Sequence, residues 1–180
     1  MDIHIETERL YIRKLIAADD KGMFAMDSDP EVHKYIGGKP VESIERSREV
    51  IEIIRSQYQE FGIGRWAIIE KSSGDFVGWI GHKRMTETVN GHCNHIDFGY
   101  RLARRFWGQG YATEAGRASL QYGIDTLQLK DIYAMTDVDN AASRRILEKL
   151  GFTFMGLFEW NGPSTWRQEG ESTTWYQLLQ

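Results

Sequence analysis

The sequence predicts an α/β domain in which an antiparallel front half and a helix-strand-helix-strand rear half share one sheet. Two β-type runs, RWAIIEK and DFVGWIGHKR, flank the tight turn Ser72-Ser73-Gly74 and read as an antiparallel hairpin. From Gly110 to Phe158, helical and strand patterns alternate. No repeat, low-complexity tract or linker interrupts the 180 residues, so residues 1–180 are expected to form one domain.

The elements follow in order. In ERLYIRKL, Leu10, Ile12 and Lys14 alternate with Tyr11 and Arg13 as a first strand. A short helix over Ala17 to Asp27 closes at the turn Ser28-Asp29-Pro30. In KPVESIERSREVIEIIRSQYQEFG, Val41, Ile44, Ile51, Ile54, Tyr58 and Phe61 recur at spacings of three, seven, three, four and three, one helix face. Pro40 suits its first turn and Gly62 its end. The hairpin comes next, then a polar loop over Thr86 to Asn94 and a strand, HIDFGYRLA. The rear half reads helix (Gly110 to Leu127), strand (Asp131 to Thr136), helix (Asn140 to Leu150) and strand (Phe152 to Phe158). A last strand, Ser172 to Leu179, follows a long polar loop.

Lys and Arg number 22 against 26 for Asp and Glu, a net charge of −4. That balance offers no global attraction for nucleic acid or an anionic membrane. MDIHIETERLYIRKL lacks the apolar run of a signal peptide, and no window approaches the ~20 apolar residues of a spanning helix. A soluble, cytoplasmic protein is therefore expected. Cys93 is the only cysteine, which excludes an internal disulfide framework.

RRFWGQGYATEA, Arg104 to Ala115, places two arginines and two glycines at the mouth of a helix. Helix N-termini expose backbone N–H groups at the positive end of the dipole, and glycine lets a ligand approach closely, so a phosphate or pyrophosphate suits the turn. A plain helix-entry turn with solvated arginines explains the same residues. Two familiar phosphate motifs do not fit. Neither Gly-Lys-Ser nor Gly-Lys-Thr occurs, which excludes a P-loop, and Thr113 stands where a dinucleotide fingerprint needs Gly or Ala.

Arg105, Gly108 and Gly110 do occupy the three defined places of [RQ]-x-x-G-x-[GA]. With ETERLYIRKL, DFVGWIGH, DFGYRLARRFWGQGYATEA and DVDNAASRRILEKLGF in that order, the chain resembles the GNAT superfamily of N-acetyltransferases, and within it the ribosomal-protein N-terminal acetyltransferase branch. The resemblance implies a mostly antiparallel twisted sheet of about seven strands flanked by about four helices, with a splayed parallel pair at the acyl-CoA site. It implies acetyl-CoA as donor, its pyrophosphate on amides from Arg105 to Tyr111 (through Gly108, Gln109 and Gly110), and pantetheine near Tyr100 and Leu102. Asn140 and Ser143 are implied to reach the cofactor.

Asn140 is also a good helix N-cap, and Ser143 is equally a hydroxyl in a first helical turn. Acetyl transfer from a thioester requires the amine to lose a proton, the carbonyl oxygen to meet donors and the thiolate to be stabilised. Direct attack in a ternary complex needs no covalent intermediate, so Cys93 has no required role. Asp97 is the first candidate for base, with Glu159, His82 and His95 in reserve; a solvent-facing strand carboxylate would look the same. Many superfamily members place a tyrosine acid seven residues after the helix-start asparagine. Here that residue is Leu147, so Ser143 is the nearest substitute. An unassisted thiolate is the alternative, a thiol's pKa being only ~8.5.

GHCNH, Gly91 to His95, offers three metal-ligand types at no finger spacing, and no metal is expected. RLARR is too short for a nucleic-acid patch. The resemblance walls the acceptor cleft with KYIGGKP and EWNGPSTWRQEGES, whose Glu159, Trp160 and Trp166 suit a cationic amine. The expected activity is acetylation of a primary amine, foremost a protein N-terminal α-amine. A small-molecule amine such as an antibiotic or polyamine, and a non-catalytic acyl-CoA sensor, are the alternatives; a nucleotide-binding oxidoreductase is disfavoured by the failed fingerprint. A homodimer is compatible with these features.

Overall fold

The computed structural model describes residues 4–36, 39–162 and 170–179. The alternation in ERLYIRKL becomes strand β2 (Leu10–Lys14), which pairs with a short antiparallel β1 (His4–Glu6). Leu10 and Ile12 are fully buried and Tyr11 is exposed, as period two requires. After a 3-10 turn at Ala17–Asp19 comes α1 (Asp20–Asp27), then α2 (Pro30–His33). The Ser28-Asp29-Pro30 turn expected from the sequence is thus the start of another short helix. Asp29 accepts a hydrogen bond from Glu31 N at 2.9 Å, and Pro30 supplies a first residue that needs no N–H partner.

Helix α3 (Ile44–Phe61) begins four residues later than Pro40 suggested. Ser43 caps it, accepting from Arg46 N, and Gly62 ends it in the left-handed region at φ +72. The hairpin is β3 (Arg65–Glu70) and β4 (Phe76–Met85), followed by β5 (His95–Leu102). The rear half supplies α4 (Tyr111–Asp125), β6 (Ile132–Asp137), α5 (Ala141–Lys149), β7 (Phe152–Glu159) and β8 (Ser172–Leu178).

One sheet runs in the order β1-β2-β3-β4-β5-β6-β8-β7. Only β5 and β6 are parallel; the other pairs are antiparallel. The mixed α/β architecture is as expected, with β1 and α2 raising the count to eight strands and five helices among the described residues.

Two apolar layers cover the sheet. Trp66, Ile68, Ile80, Phe98, Leu147 and Leu150 belong to the layer beneath α4 and α5. Leu15, Met23, Met26, Ile51, Ile54 and Ala67 form the opposite layer beneath α1 and α3. Adjacent Trp66 and Ala67 enter opposite layers, which explains why RWAIIEK reads as a nearly continuous apolar run: β3 is covered on both faces.

His82 sits inside the α4 layer at 0% exposure, 5.4 Å between ring centroids from both Trp66 and Phe98. Burial, helped by Arg65, pulls its pKa from the ordinary 6.5 down to about 3. Between those values the unfolded chain binds a proton that the folded chain does not. Stability is therefore present above pH 6.5 and is lost as pH falls toward 3, with a slope of up to about 1.4 kcal/mol per pH unit. Denaturant unfolding of His82→Leu between about pH 6.5 and pH 5 is expected to show a shallower loss of stability than the unaltered chain, above the range where most carboxylates titrate.

Candidate active site

The turn at the head of α4 is built to leave amides open. After the 3-10 turn Arg104–Phe106, Gly108 and Gly110 take φ of +73 and +82, left-handed values that strain residues with a Cβ. Gly110 is the N-cap of α4 and offers no side chain to its first amides. The first helical bond runs from Glu114 N to Gly110 O at 3.0 Å. The amides before it point out of the helix end, where the dipole favours an anion.

The rest of the turn is pinned from behind. Arg9 donates to Gln109 O at 2.9 Å and pairs with Glu114 at 2.6 Å. Its guanidinium lies 4.3 Å from the Tyr111 ring centroid. Glu114 also accepts from Thr7 Oγ1 at 2.6 Å and from Arg9 N at 2.9 Å. Burial opposes the charge on Glu114, yet these hydrogen bonds hold its carboxyl below the usual range. Tyr111 Oη donates to Glu70, Gln109 Nε2 donates to Arg105 O at 2.8 Å, and the exposed Arg105 pairs with Asp75 at 3.1 Å. Arg9 and Glu114 escaped the sequence reading. Their signal was two opposite charges in ETERL and ATEA, 105 residues apart.

β5 and β6 pair only at Ile96↔Ile132 and Asp97↔Tyr133. Beyond that the strands part. Ile96 N donates toward β6, to Asp131 O at 3.2 Å, and by the two-residue alternation the backbone groups of Tyr100 and Leu102 face the same side, into the gap. Leu102 O is met by Trp107 Nε1 at 2.8 Å. Across the gap stands α5, where Asn140 Oδ1 accepts from Ser143 N at 3.1 Å as a true cap. Tyr100 Oη reaches Ser143 O at 3.1 Å and Ser143 Oγ at 3.0 Å. Tyr100, Leu102, Asn140 and Ser143 therefore border one opening, with the glycine turn at the end of β5.

The other candidates lie elsewhere. Asp97 is 4% exposed on the α3 side of β5 and forms a buried ion pair with Arg65. Arg65 also donates to Asp97 O at 2.9 Å and to Gly81 O. A Cβ on Gly99 would stand 2.9 Å from Arg65 Nη2, so the close passage of the guanidinium accounts for that glycine. Neighbouring Arg101 pairs with Asp27 at 2.8 Å, and Trp79 lies between the two cations, 5.3 and 5.2 Å from their guanidinium carbons. Arg65 was not singled out from sequence, where it reads as the polar lead-in of a strand.

Trp160 is 1% exposed, in a cluster with Met85, Val89, Tyr133 and Trp175. Glu159 is exposed at the end of β7, and Trp166 lies outside the described residues. His95 packs on Tyr133 and Trp175, and burial lowers its pKa. Cys93 is exposed. Among the described residues no cluster of three or more His, Cys, Asp or Glu suits a metal ion, and no helix is long and apolar enough to cross a membrane. A cleft of about 710 Å³ opens on the α1 side of the Arg104 and Arg105 backbone, away from Tyr100 and Ser143. Its Arg13 and Asp19 are paired with each other, as are its Arg105 and Asp75.

Residues 9–153 match the acetyltransferase (GNAT) domain. The chain is 32% identical over 153 residues to the uncharacterized N-acetyltransferase YoaA of Bacillus subtilis, a match that covers 85% of this chain and 84% of that one. It is 28% identical over 173 residues to the FsC-acetyl coenzyme A-N(2)-transacetylase of Aspergillus fumigatus, covering 93% and 73%. The solved acetyltransferase (GNAT family) from Bacillus anthracis superposes with a TM-score of 0.77 at 26% identity, over 98% of both chains.

Removing the Asp97 carboxylate leaves Arg65 charged and buried, which costs about 3–5 kcal/mol. Asp97→Ala is expected to lower the thermal midpoint by roughly 10 °C, and Arg65→Met combined with Asp97→Leu to recover part of the loss. An unchanged midpoint in calorimetry would show that the ion pair bears no structural weight.

Proposed function

The chain belongs to the GNAT acetyltransferase family, and from that premise we propose that it transfers acetyl from acetyl-CoA to the N-terminal α-amine of a protein. The observation that carries the cofactor assignment is the uncapped head of α4, with Gly108 and Gly110 left-handed, beside a parted parallel strand pair. Bare amides at a positive helix end suit a pyrophosphate. An open backbone edge on β5 suits the amides of a pantetheine arm.

We assign the pyrophosphate to the turn from Arg105 to Tyr111, including Gln109, and the pantetheine arm to Tyr100 and Leu102. Asn140 and Ser143 close the opposite wall. Acetyl-CoA, when bound, supplies the activated acyl thioester. The backbone N–H groups of β5 that face the gap are the donors available to a carbonyl oxygen, and Ser143 Oγ is the hydroxyl available to the sulfur.

Asp97 is assigned a structural part instead of proton acceptance. Its carboxylate is buried on the α3 side of β5 in an ion pair with Arg65, out of the gap between β5 and β6. This bears on the acceptor. An α-amine has a pKa of about 7.7–8.0 against about 10.4 for lysine, so a far larger fraction is already unprotonated at neutral pH. With the β5 carboxylate committed to an arginine, an acceptor that is already partly unprotonated, the α-amine, is favoured. The resemblance to the ribosomal-protein branch supports the same acceptor. Glu159 stays with the acceptor wall, and Trp160 is its buried support. A small-molecule amine is the second reading, favoured by the similarity to the transacetylase of Aspergillus fumigatus.

A free-thiol assay with acetyl-CoA and two acceptor panels, short peptides with free N-termini and small amines, tests this. CoA release is expected with peptides and to vanish when their N-termini are blocked; release with small amines alone would establish the second reading, and release with neither would favour an acyl-CoA sensor. Arg9→Ala frees the turn from its charged tether and is expected to raise KM for acetyl-CoA about tenfold while KM for the acceptor stays unchanged. Equal changes in both constants would assign Arg9 to general stability.

A further inference from the structure

Ser143 and Leu147 lie one helical turn apart on the same face of α5. Leu147 is 1% exposed in the apolar core and offers no donor. A second hydroxyl nevertheless reaches this face, from the facing strand. Tyr100 leaves β5 three residues beyond Asp97, the last residue paired with β6. Its ring packs on Phe98 with centroids 6.2 Å apart, and its Oη stands 3.0 Å from Ser143 Oγ.

The geometry points to Tyr100 as a positioning residue for the coenzyme sulfur: Tyr100 Oη–H donates to Ser143 Oγ, and Ser143 directs its own proton at the sulfur. This rests on the assignment of Ser143 to the coenzyme site. The Ser143 carbonyl, 3.1 Å from Tyr100 Oη, competes for the tyrosine proton. An anion beside Ser143 decides between them, because a chain of donors ending on a negative charge polarises each link. Burial raises the Tyr100 pKa, which keeps the phenol protonated and makes it a donor. The chemistry balances without either hydroxyl being consumed. The amine nitrogen bonds to the acetyl carbon, the C–S bond breaks, its electron pair goes to sulfur, and the amine proton leaves to water. Ser143 and Tyr100 keep their protons and stabilise the thiolate by hydrogen bonds.

CoA carries a titrating thiol and acetyl-CoA does not, so their relative affinity reports thiolate stabilisation without an acceptor. Calorimetric Kd values for both are measured at about pH 6.5 and about pH 9, a span over which a thiol made more acidic by its site ionises further than one in water. The ionisable groups around the pair are Tyr176 from β8 and Arg144 and Glu148 of α5. Each is present with both ligands, so its titration cancels in the ratio. The preference for CoA over acetyl-CoA is expected to rise severalfold with pH in the unaltered chain, as for a bound thiol more acidic than a free one.

The rise is expected to fall below about twofold in Tyr100→Phe, in Ser143→Ala and in the double variant alike. Phenylalanine keeps the ring packing, and thermal denaturation checks that each variant is folded. A full rise in Tyr100→Phe with loss in Ser143→Ala overturns the role of Tyr100 and leaves that of Ser143 standing. A full rise in both variants, or none in the unaltered chain, removes the serine assignment as well. Failure of both ligands to bind defeats the coenzyme site itself. A purely structural part for Tyr100 shifts both ligands together and leaves the ratio unchanged, which also overturns the proposal.

Discussion

Among the described residues, two residue pairs of parallel ladder, Ile96↔Ile132 and Asp97↔Tyr133, join the strands of the two halves of the sheet. The β5 backbone beyond Asp97 loses its strand partner on one side, while β6 takes its antiparallel partner from β8. An unpaired strand edge inside a fold is costly unless something satisfies it. The Trp107 indole meets one such group, Leu102 O, and the Tyr100 side chain spans to α5. The opening thus has one polar backbone wall and one helix-borne wall, a geometry suited to an extended ligand with its own amides.

A parted strand is useful only if its end is held still. β5 feeds directly into the glycine turn, and that turn is anchored to the front of the sheet by Arg9, Glu70 and Asp75, each from a different contact. These anchors take up carbonyls and side chains, so the amides at the head of α4 are what the turn presents. On the far face, Arg65 ties Asp97 to Gly81 and holds β5 against β4 at the point where β6 departs. Buried ion pairs add little net stability over apolar packing, but they specify geometry by making misregister expensive.

Much of this was legible beforehand. Period-two alternation placed β2 and the hairpin, and Gly62 and Asn140 marked a helix end and a helix start through left-handed and capping chemistry. Pro40 misled because proline suits extended lead-ins as well as first turns, and Ser43 supplied the cap instead. Pro30, read as a turn, opened α2 for the same reason. Within the site, Arg105, Gly108, Gly110, Asn140 and Ser143 were visible as motif positions, whereas Arg9, Glu114 and Arg65 were charged residues without a local pattern. Their partners lie 105, 105 and 32 residues away, beyond any window that periodicity scans.

The sequence by itself determined most of the elements, the glycine turn at a helix head and the family, because backbone propensity, capping and motif spacing are local properties. Only the tertiary structure decided where Asp97, Tyr100 and Leu147 act. Asp97 meets a buried guanidinium, Leu147 goes to the core, and Tyr100 crosses a strand gap to Ser143. A carboxylate, a leucine and a tyrosine take their chemical meaning from burial and partner, and those are set by which strands part and which stay paired.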